Sequence, residues 1–565
     1  MPHSAPPAAA RPKWFWPLVA AAFVAVFFVY APALSGPFVF DDLYLPFGRP
    51  EAEVWARQPL QGNRPLLMLS FWLNYLVSGQ RPFSYHATNV ALHFGVVVLV
   101  FALCRRLLGR AGEARERAWA LAAFGAAVFL LHPLHTEAVA YVASRSDVLS
   151  TLLAYSALAL FVFAFREPVA PPGIGRTLAI LAFAAAAMAA KEQAAVIPGV
   201  ILLADYFWNP GFSIRGIRAN WRLHGLFALG GVAAVGVVIR VLAVSDTAGF
   251  GVGGVRWYQY FLTQCRVIWR YLRLTVLPIG QNLDPNFPLS ASLADWTALA
   301  GLTALAAITV VAVLKRKQYP LAAFGWLLFL LMIAPTSSVV PINDVVAERR
   351  MYFPFLGLVL VMLEGVRRLR IEAHAAVACA AAVLISFGYW TSARAVLWGD
   401  PIALWSATAE ASPGKARPAF QLAHALYGAG RYDEASESYA AAAAREKPNA
   451  ELLLDWGLAL DAARRPEDAV ERLEQAAAIE PSAHVYATIG MVQAKMQRYG
   501  DALESLSKAK AKDPFHWPTY LYRGNTFAAL GNWADAAVDY RRVLDLQPGN
   551  AAAAQGLSMA ERNLR

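Results

Sequence analysis

Two adjacent carboxylates, Asp41 and Asp42, follow the first long apolar run of the chain in the stretch Phe38-Val39-Phe40-Asp41-Asp42. Acids beside a membrane segment carry a desolvation cost unless they pair or do chemistry. A carboxylate that stays ionised within hydrogen-bond reach of a hydroxyl acts as its general base. With one acid in that role, the other orients an acceptor, binds a cation or holds the loop. A solvated loop that merely contains two acids is the plainer alternative. A second polar stretch, HPLHTEAVAYVASRSD, supplies His132, His135, Glu137, Arg145 and Asp147. His132, His135 and Glu137 have the residue types for a divalent cation, but Pro133 interrupts the helix and the spacing matches no zinc signature. Hydrogen bonding to a sugar or phosphate, with Arg145 as the cation, suits them better. The structural alternative is an Arg145–Asp147 pair that anchors the following helix. Lys191 and Glu192 either pair with each other in a hairpin or line the same site. Glu348, Arg349 and Arg350 precede a late apolar run, where an arginine fork can hold a phosphate or simply snorkel to the interface. His86, Asn89 and His93 are read as packing residues, and no residue is assigned as a metal ligand.

The elements that must position these groups are membrane helices. The chain is 58% hydrophobic and only 16% charged, too apolar for an ordinary soluble protein. Its net charge of +11 lies in short basic clusters between apolar runs, as topology signals do, so no nucleic-acid partner is inferred. Cys104, Cys265 and Cys379 are far apart and suggest neither a disulfide framework nor a metal site. The run from Trp14 to Leu34 follows Arg11 and Lys13 and reads as a retained signal anchor.

Spans need about 20 apolar residues, fewer where flanking residues snorkel. Eleven are expected: 14–34, 85–107, 119–131, 148–165, 178–190, 196–207, 226–244, 296–314, 321–340, 352–363 and 375–390. The segments 64–77, short for a span, and 256–278, which carries Arg266, Arg270 and Arg273 at helical spacing, are laid along the outer surface as amphipathic helices, the second because a span there would put Lys315-Arg316-Lys317 outside against the positive-inside tendency. With the N-terminus cytoplasmic, the basic loops stay inside. Asp41 and Asp42, the His132–Asp147 stretch, Lys191-Glu192-Gln193 and Asn343–Arg350 then all fall on the outer face, like the wall of one cavity.

After residue 399 the composition turns charged and Ala-rich, with an internal repeat. Ala435, Ala469, Ala502 and Ala536 recur every 33 or 34 residues, each twelve residues after Ala423, Gly457, Gly490 or Gly524. Pro448, Pro481, Pro514 and Pro548 close the units. This is the tetratricopeptide pattern, in which small residues let paired helices cross and the proline ends the second helix. The expected architecture is therefore all-α: a membrane helix bundle over residues 1–399, then an α-solenoid of about four repeats over 400–565 that binds peptides.

FDD after the first span, NRPLLMLSFWLNYLVSG with YHATNVALH, HPLHTEAVAYVASRSDVLS, KEQ and VAERRMYFP, joined to tetratricopeptide repeats, resemble the transmembrane and tetratricopeptide-repeat O-mannosyltransferases and their bacterial relatives. The resemblance covers nearly the whole chain. It implies a GT-C fold that transfers a sugar from a polyprenyl phosphate, with inversion, to a hydroxyl on the extracytoplasmic side, here of a protein acceptor held by the repeats. It implies that an acid of the first outer loop is the base, a position held by Asp41 or Asp42, with Asp41 favoured. It makes Arg349 a candidate for the lipid phosphate and Arg145, His135 and Glu137 candidates for the donor or acceptor pocket, beside His132, Lys191 and Glu348. GT-C relatives differ in whether they use a divalent cation, so that cofactor stays open. The expected location is a bacterial inner membrane, with the repeats periplasmic. A non-enzymatic peptide-binding scaffold, and a glycan polymerase, ligase or transporter that uses a lipid-linked sugar, are the competing functions.

Overall fold

A computed structural model describes residues 12–48, 52–58, 60–245, 247–250 and 252–565. Among them the regular structure is helical, and one isolated antiparallel bridge joins Ala248 and Ile342. Contacts divide the chain into two units, residues 1–400 and 401–565.

The first unit contains α1 (Phe15–Leu34), α2 (Pro65–Ser78), α3 (Pro82–Arg110), α4 (Arg115–Leu131), α5 (Arg145–Val162), α6 (Ile174–Ala190), α7 (Ile197–Trp208), α8 (Trp221–Val244), α9 (Trp257–Val276), α10 (Trp296–Leu314), α11 (Pro320–Ile333), α12 (Phe355–Arg368) and α13 (Ala373–Gly399). Helix α3 packs on α1, α4 and α5, α6 packs on α5, α11 on α12, and α13 returns against α1.

Six helical segments among the described residues are long and apolar enough to cross a membrane: α1, α3, Val142–Val162, α8, α10 and α13. The pair Arg115–Leu131 and Pro133–Ala140, bent by 49°, makes a seventh if it is one span. The eleven expected spans, several of them short in sequence, exceed these full-length crossing helices, so the count of eleven is not confirmed. The expected spans at 178–190, 196–207, 321–340 and 352–363 are the shorter helices α6, α7, α11 and α12. They stop at polar turns, Lys191–Val196 between α6 and α7 and residues 334–354 between α11 and α12. Non-helical backbone at such depth is tolerated where protein buries it or it lines a cavity.

The two amphipathic segments form helices. In α2, Leu67, Phe71 and Asn74 turn inward while Leu73, Leu76 and Val77 are exposed. In α9, Tyr260, Thr263, Val267, Tyr271 and Leu274 are buried, and the arginines pin the following loop. Arg266 donates to Pro288 O, Arg270 to Gly280 O and Arg273 to Ile279 O.

The second unit begins with α14 (Pro401–Ala411). Helix pairs follow: α15 (Ala416–Gly428) with α16 (Tyr432–Ala443), α17 (Ala450–Ala462) with α18 (Pro466–Ile479), α19 (Ala483–Lys495) with α20 (Tyr499–Lys512), and α21 (Trp517–Ala529) with α22 (Trp533–Leu546). Helix α23 (Ala551–Asn563) packs on α22. A Cβ at Gly457 would stand 2.6 Å from Leu473 Cγ, so the α17–α18 crossing needs the missing side chain. Pro481, Pro514 and Pro548 lie just past the ends of α18, α20 and α22. The solenoid of tetratricopeptide-like pairs is thus present as the repeat predicts.

Candidate functional site

The chain leaves α1 through Gly36, where a Cβ would lie 2.8 Å from Trp398 O at the end of α13. A short turn, Phe40–Tyr44, then carries the two acids. Phe40 sits at φ 52°, a left-handed conformation that an aromatic residue adopts at a cost and that clusters at functional sites. The acids face opposite ways. Asp42 is fully buried: its Oδ1 accepts from Ala143 N at 2.7 Å and its Oδ2 from Val39 N at 3.2 Å. Burial pushes its carboxyl up to about 8, against the pull of those backbone donors. Asp41 is exposed. Its amide donates to Tyr141 Oη at 2.9 Å, and the Tyr141 hydroxyl also reaches the Asp41 side chain. Tyr141 lies between Phe40 and Trp398, stacked on each with ring centroids 6.3 and 5.4 Å away. Burial, then the charges of Asp41 and Asp42, hold its phenol well above the usual value.

Three carboxylate–cation pairs connect to this turn through Arg349, whose charge reaches both Tyr141 and Lys191. Glu137, in a short helix after α4, accepts from Arg349 Nη1 at 2.5 Å and from Arg349 N at 3.0 Å. Arg349 also reaches Asp344 at 3.4 Å. Burial opposes the Arg349 charge, but Glu137 and Asp344 outweigh it and raise its pKa. Asp147, at the start of α5, accepts from Lys191 Nζ at 2.6 Å and Gln193 Nε2 at 3.3 Å. Burial lowers the Lys191 pKa and Asp147 partly restores it. Glu192 takes a fork from Arg64, with Nε at 3.0 Å and Nη2 at 2.9 Å. Lys191 and Glu192 therefore do not pair with each other, because the turn between α6 and α7 splays them toward α5 and α2. Nor does Arg145 pair with Asp147.

The pairs form one electrostatic neighbourhood: Lys191 feels Asp147, Arg64 and Arg349, and Tyr141 feels Asp41 and Arg349. The cations are partly open, with 15% of the Lys191 side chain exposed, 20% of Arg349 and 38% of Arg64. Their paired carboxylates are more buried, at 1% for Asp147 and Glu137 and 20% for Glu192. The protein thus buries the negative ends and presents the positive ones, beside an exposed acid. A phosphate with a neighbouring hydroxyl acceptor suits that polarity.

The remaining sequence candidates lie deeper. Arg145 is fully buried on the Phe71 ring, 4.5 Å from its centroid, and donates to Asn89 Oδ1 at 2.7 Å, Ser70 O at 3.0 Å and Tyr85 O at 2.9 Å. It ties α2 and α3 to α5. His132 Nε2 faces Thr275 O at 2.9 Å, and His132 Nδ1 accepts from Leu134 N. His135 is fully buried among Phe129, Tyr352 and Phe355. With Glu137 turned to Arg349, these three do not converge, and among the described residues no three His, Cys, Asp or Glu side chains are grouped for a metal ion. Glu348 points away from Arg349. It accepts from Asn282 N at 2.7 Å and Gln281 Nε2 at 2.9 Å, with Arg394 at 3.7 Å. Burial raises its pKa. His86 faces Ala140 O, Asn89 donates to Val139 O and Tyr141 O, and His93 faces Tyr352 Oη, all between helices.

Sequence reasoning missed Arg64 and Tyr141 as site residues. Arg64 immediately precedes Pro65, the first residue of α2, a position that reads as a helix start and says nothing of Glu192. Tyr141 sits in an apolar run, and only its stacking and its contact with Asp41 single it out.

The fold and site together define a multi-helix membrane protein with a cation-rimmed acidic site and a tetratricopeptide-like solenoid. No family model matches the chain. It is, however, similar over 73% of its length to the human protein O-mannosyl-transferase TMTC1, at 24% identity over 478 residues that cover 53% of that protein. Protein O-mannosyl-transferase F38B6.6 of Caenorhabditis elegans is 24% identical over 437 residues, 73% of this chain and 60% of the relative. Drosophila melanogaster Tmtc1 is 35% identical over 188 residues, 30% of this chain and 20% of the relative. The chain thus spans about half the length of the first of these curated relatives. Among solved structures, the tetratricopeptide-repeat protein YrrB is 20% identical over 31% of this chain and 90% of its own, with a TM-score of 0.26. A MamA structure is 20% identical over 28% of this chain and 91% of its own, with a TM-score of 0.26.

Proposed function

We propose that the chain is a membrane glycosyltransferase that moves a hexose, mannose by analogy with the named relatives, from a polyprenyl-phosphate donor to a hydroxyl of a protein acceptor on the extracytoplasmic face. The observation that carries this reading is the exposed Asp41 carboxylate beside a rim of partly open cations, Arg349, Lys191 and Arg64.

In this mechanism the acceptor hydroxyl attacks the anomeric carbon opposite the phosphate, and the stereochemistry inverts. The bond from that carbon to the phosphate oxygen breaks, and the polyprenyl phosphate leaves as an anion. Asp41 takes the hydroxyl proton as the new bond forms. Arg349 and Lys191, with Arg64 beside them, offset the charge that gathers on the leaving phosphate. Glu137 and Asp147 hold those two cations in place. Asp42 latches the turn to Val142-Ala143, and Arg145 fixes α2 and α3 behind it. The solenoid would hold the acceptor peptide and raise its effective concentration at Asp41.

The test is sugar transfer by purified protein from a panel of synthetic polyprenyl-phosphate hexoses, wild type against Asp41→Asn, with donor binding measured in parallel. Loss of turnover with donor binding intact supports the assignment. Folded wild type that neither binds nor turns over any donor, with envelope extract supplied as acceptor, turns the reading toward a membrane-anchored scaffold.

A further inference from the structure

The end of α7 away from the Lys191–Val196 turn carries a second polar cluster that sugar transfer does not use. Asp205 lies in the last turn of α7, Asn209 just past it, and Asn220 and His224 at the start of α8. The stretch between them folds back through the short helix Arg215–Ala219, and Gly216 presses so close that a Cβ there would collide with Asp205 Oδ1 and Asn209 O. Four polar side chains from the two helix ends thus converge.

Asp205 is fully buried, and Asn209 and Asn220 are buried beside it. Among the described residues the carboxylate has no Lys or Arg partner; its ionisable neighbour is His224, whose Nε2 stands 2.8 Å from Oδ2. Arg215, Arg218 and Arg222 of the same stretch are exposed. A buried carboxylate without a fixed counter-charge is costly. Asn209 Nδ2 approaches Asp205 Oδ1 at 2.9 Å, and Asn220 Nδ2 lies 3.1 Å from Oδ1 and 3.0 Å from Oδ2. With their nitrogens turned that way, Asn209 Oδ1 and Asn220 Oδ1 are buried and have no donor among the described residues. Orphaned oxygens beside a buried carboxylate ask for positive charge.

A half-turn of each amide exchanges its oxygen and nitrogen with little change of shape. Two amide oxygens and His224 Nε2 then face the carboxylate at 2.8 to 3.1 Å. Such an all-acceptor set repels itself unless a cation sits at its centre. Metal–ligand bonds of about 2.0–2.1 Å at right angles put adjacent ligand atoms about 2.9 Å apart, so the spacing admits one. Hydrogen bonds share that spacing, and it is the orphaned oxygens and the uncompensated carboxylate that favour the ion. An imidazole among oxygen ligands suits Mn²⁺ or Zn²⁺ better than Mg²⁺ or Ca²⁺. Two of the four residues are amides, so the cluster contains no trio of His, Cys, Asp or Glu.

We propose that Asp205, Asn209, Asn220 and His224 bind one divalent first-row cation, of the Mn²⁺ or Zn²⁺ kind, at the joint between α7 and α8. In α8 the buried residues are Leu223 and Phe227, both in its first two turns, so an ion at this joint fixes the helix where it meets the bundle. The site does not depend on the sugar-transfer reading.

Full-length protein without a polyhistidine tag is purified in detergent, stripped with EDTA and dialysed against micromolar Mn²⁺, and the bound metal is counted by mass spectrometry. One Mn²⁺ per chain is expected, with a rise in the thermal unfolding temperature. Pulsed EPR of the bound ion should show the modulation of a coordinated imidazole nitrogen. His224→Gln keeps an N–H donor for Asp205, so the fold is retained. It should lose the nitrogen modulation and about 10-fold or more in Mn²⁺ affinity, at least what loss of an outer-shell partner costs. Asp205→Asn should abolish binding, and if it fails to fold His224→Gln decides. Asp433→Asn, an exposed acid in the solenoid, should change nothing. Wild type that takes up neither Mn²⁺ nor Zn²⁺, or that prefers Mg²⁺ or Ca²⁺ in competition, overturns the assignment. So does nitrogen modulation that survives in His224→Gln, or equal loss of metal in Asp433→Asn.

Discussion

Replacing Asp42 with asparagine separates the two adjacent acids by pH. The Asp42 carboxyl is buried and pushed from 3.8 up to about 8 by the loss of solvent. It is therefore neutral in the folded protein at pH 7, whereas in the unfolded chain it ionises near 4. Across the interval between those values the folded state holds a proton that the unfolded state has lost, so stability falls as pH rises. The contribution is full below pH 4, declines through the interval and is gone above about pH 8. At 1.36 kcal/mol per pH unit, the whole interval amounts to at most about 6 kcal/mol. Asparagine resembles the neutral acid in shape and cannot ionise. It keeps one oxygen for Ala143 N or Val39 N and leaves the other amide short of an acceptor, a fixed cost of about 1–3 kcal/mol.

Thermal unfolding of wild type and Asp42→Asn in one detergent, followed by tryptophan fluorescence from pH 5 to pH 8.5, isolates this group, because every other titrating residue is common to both proteins. Wild type should be the more stable at pH 5, and its advantage should shrink and then reverse by pH 8.5. Parallel curves, or an advantage that widens with pH, would refute the view that burial holds the proton on Asp42. In the transfer assay, Asp42→Asn should retain most turnover where Asp41→Asn loses about 100-fold or more.

Arg145→Met removes a buried guanidinium from three acceptors, and a loss of about 3–5 kcal/mol in unfolding free energy, or failure to fold, is expected. Unchanged stability would mean that Arg145 does not tie α2 and α3 to α5. Lys191→Gln leaves the Asp147 carboxylate without its charged partner and takes one cation from the rim. Donor affinity should fall about 10-fold or more, by titration with the polyprenyl phosphate alone, and the loss should be smaller at high salt. Gly457→Val drives a side chain into Leu473 and should lower repeat-domain stability by about 1–3 kcal/mol, seen as an earlier helical unfolding transition.

The repeats were legible because each unit repeats one local rule, a small residue at the crossing and a proline after the second helix. That rule can be read without knowing any partner. The site was legible in its residue types but not in its pairings. Lys191 meets Asp147 and Glu192 meets Arg64 across 44 and 128 positions of sequence, while a local reading joins neighbours such as Lys191 with Glu192 or Arg145 with Asp147. Adjacent acids carry no mark of which one faces inward, and only the path of the Phe40–Tyr44 turn buries Asp42 and exposes Asp41. Hydropathy and the Lys191-Glu192-Gln193 hinge place the ends of α6 and α7 closely, but the apolar run read to residue 340 leaves its helix at Ile333, where a polar turn that hydropathy does not register takes over.

Trp398 bears on how the chain can be divided in the laboratory. Its ring forms one side of the Tyr141 stack, and its carbonyl lies against Gly36, although it stands only three residues before the solenoid begins at Pro401. A truncation that ends after Asp400 keeps both contacts and asks what the repeats alone contribute. One that ends at Trp390, where the last apolar stretch closes in sequence, also strips a wall from the site. Loss of activity in the shorter protein would then be mistaken for a requirement for the repeats.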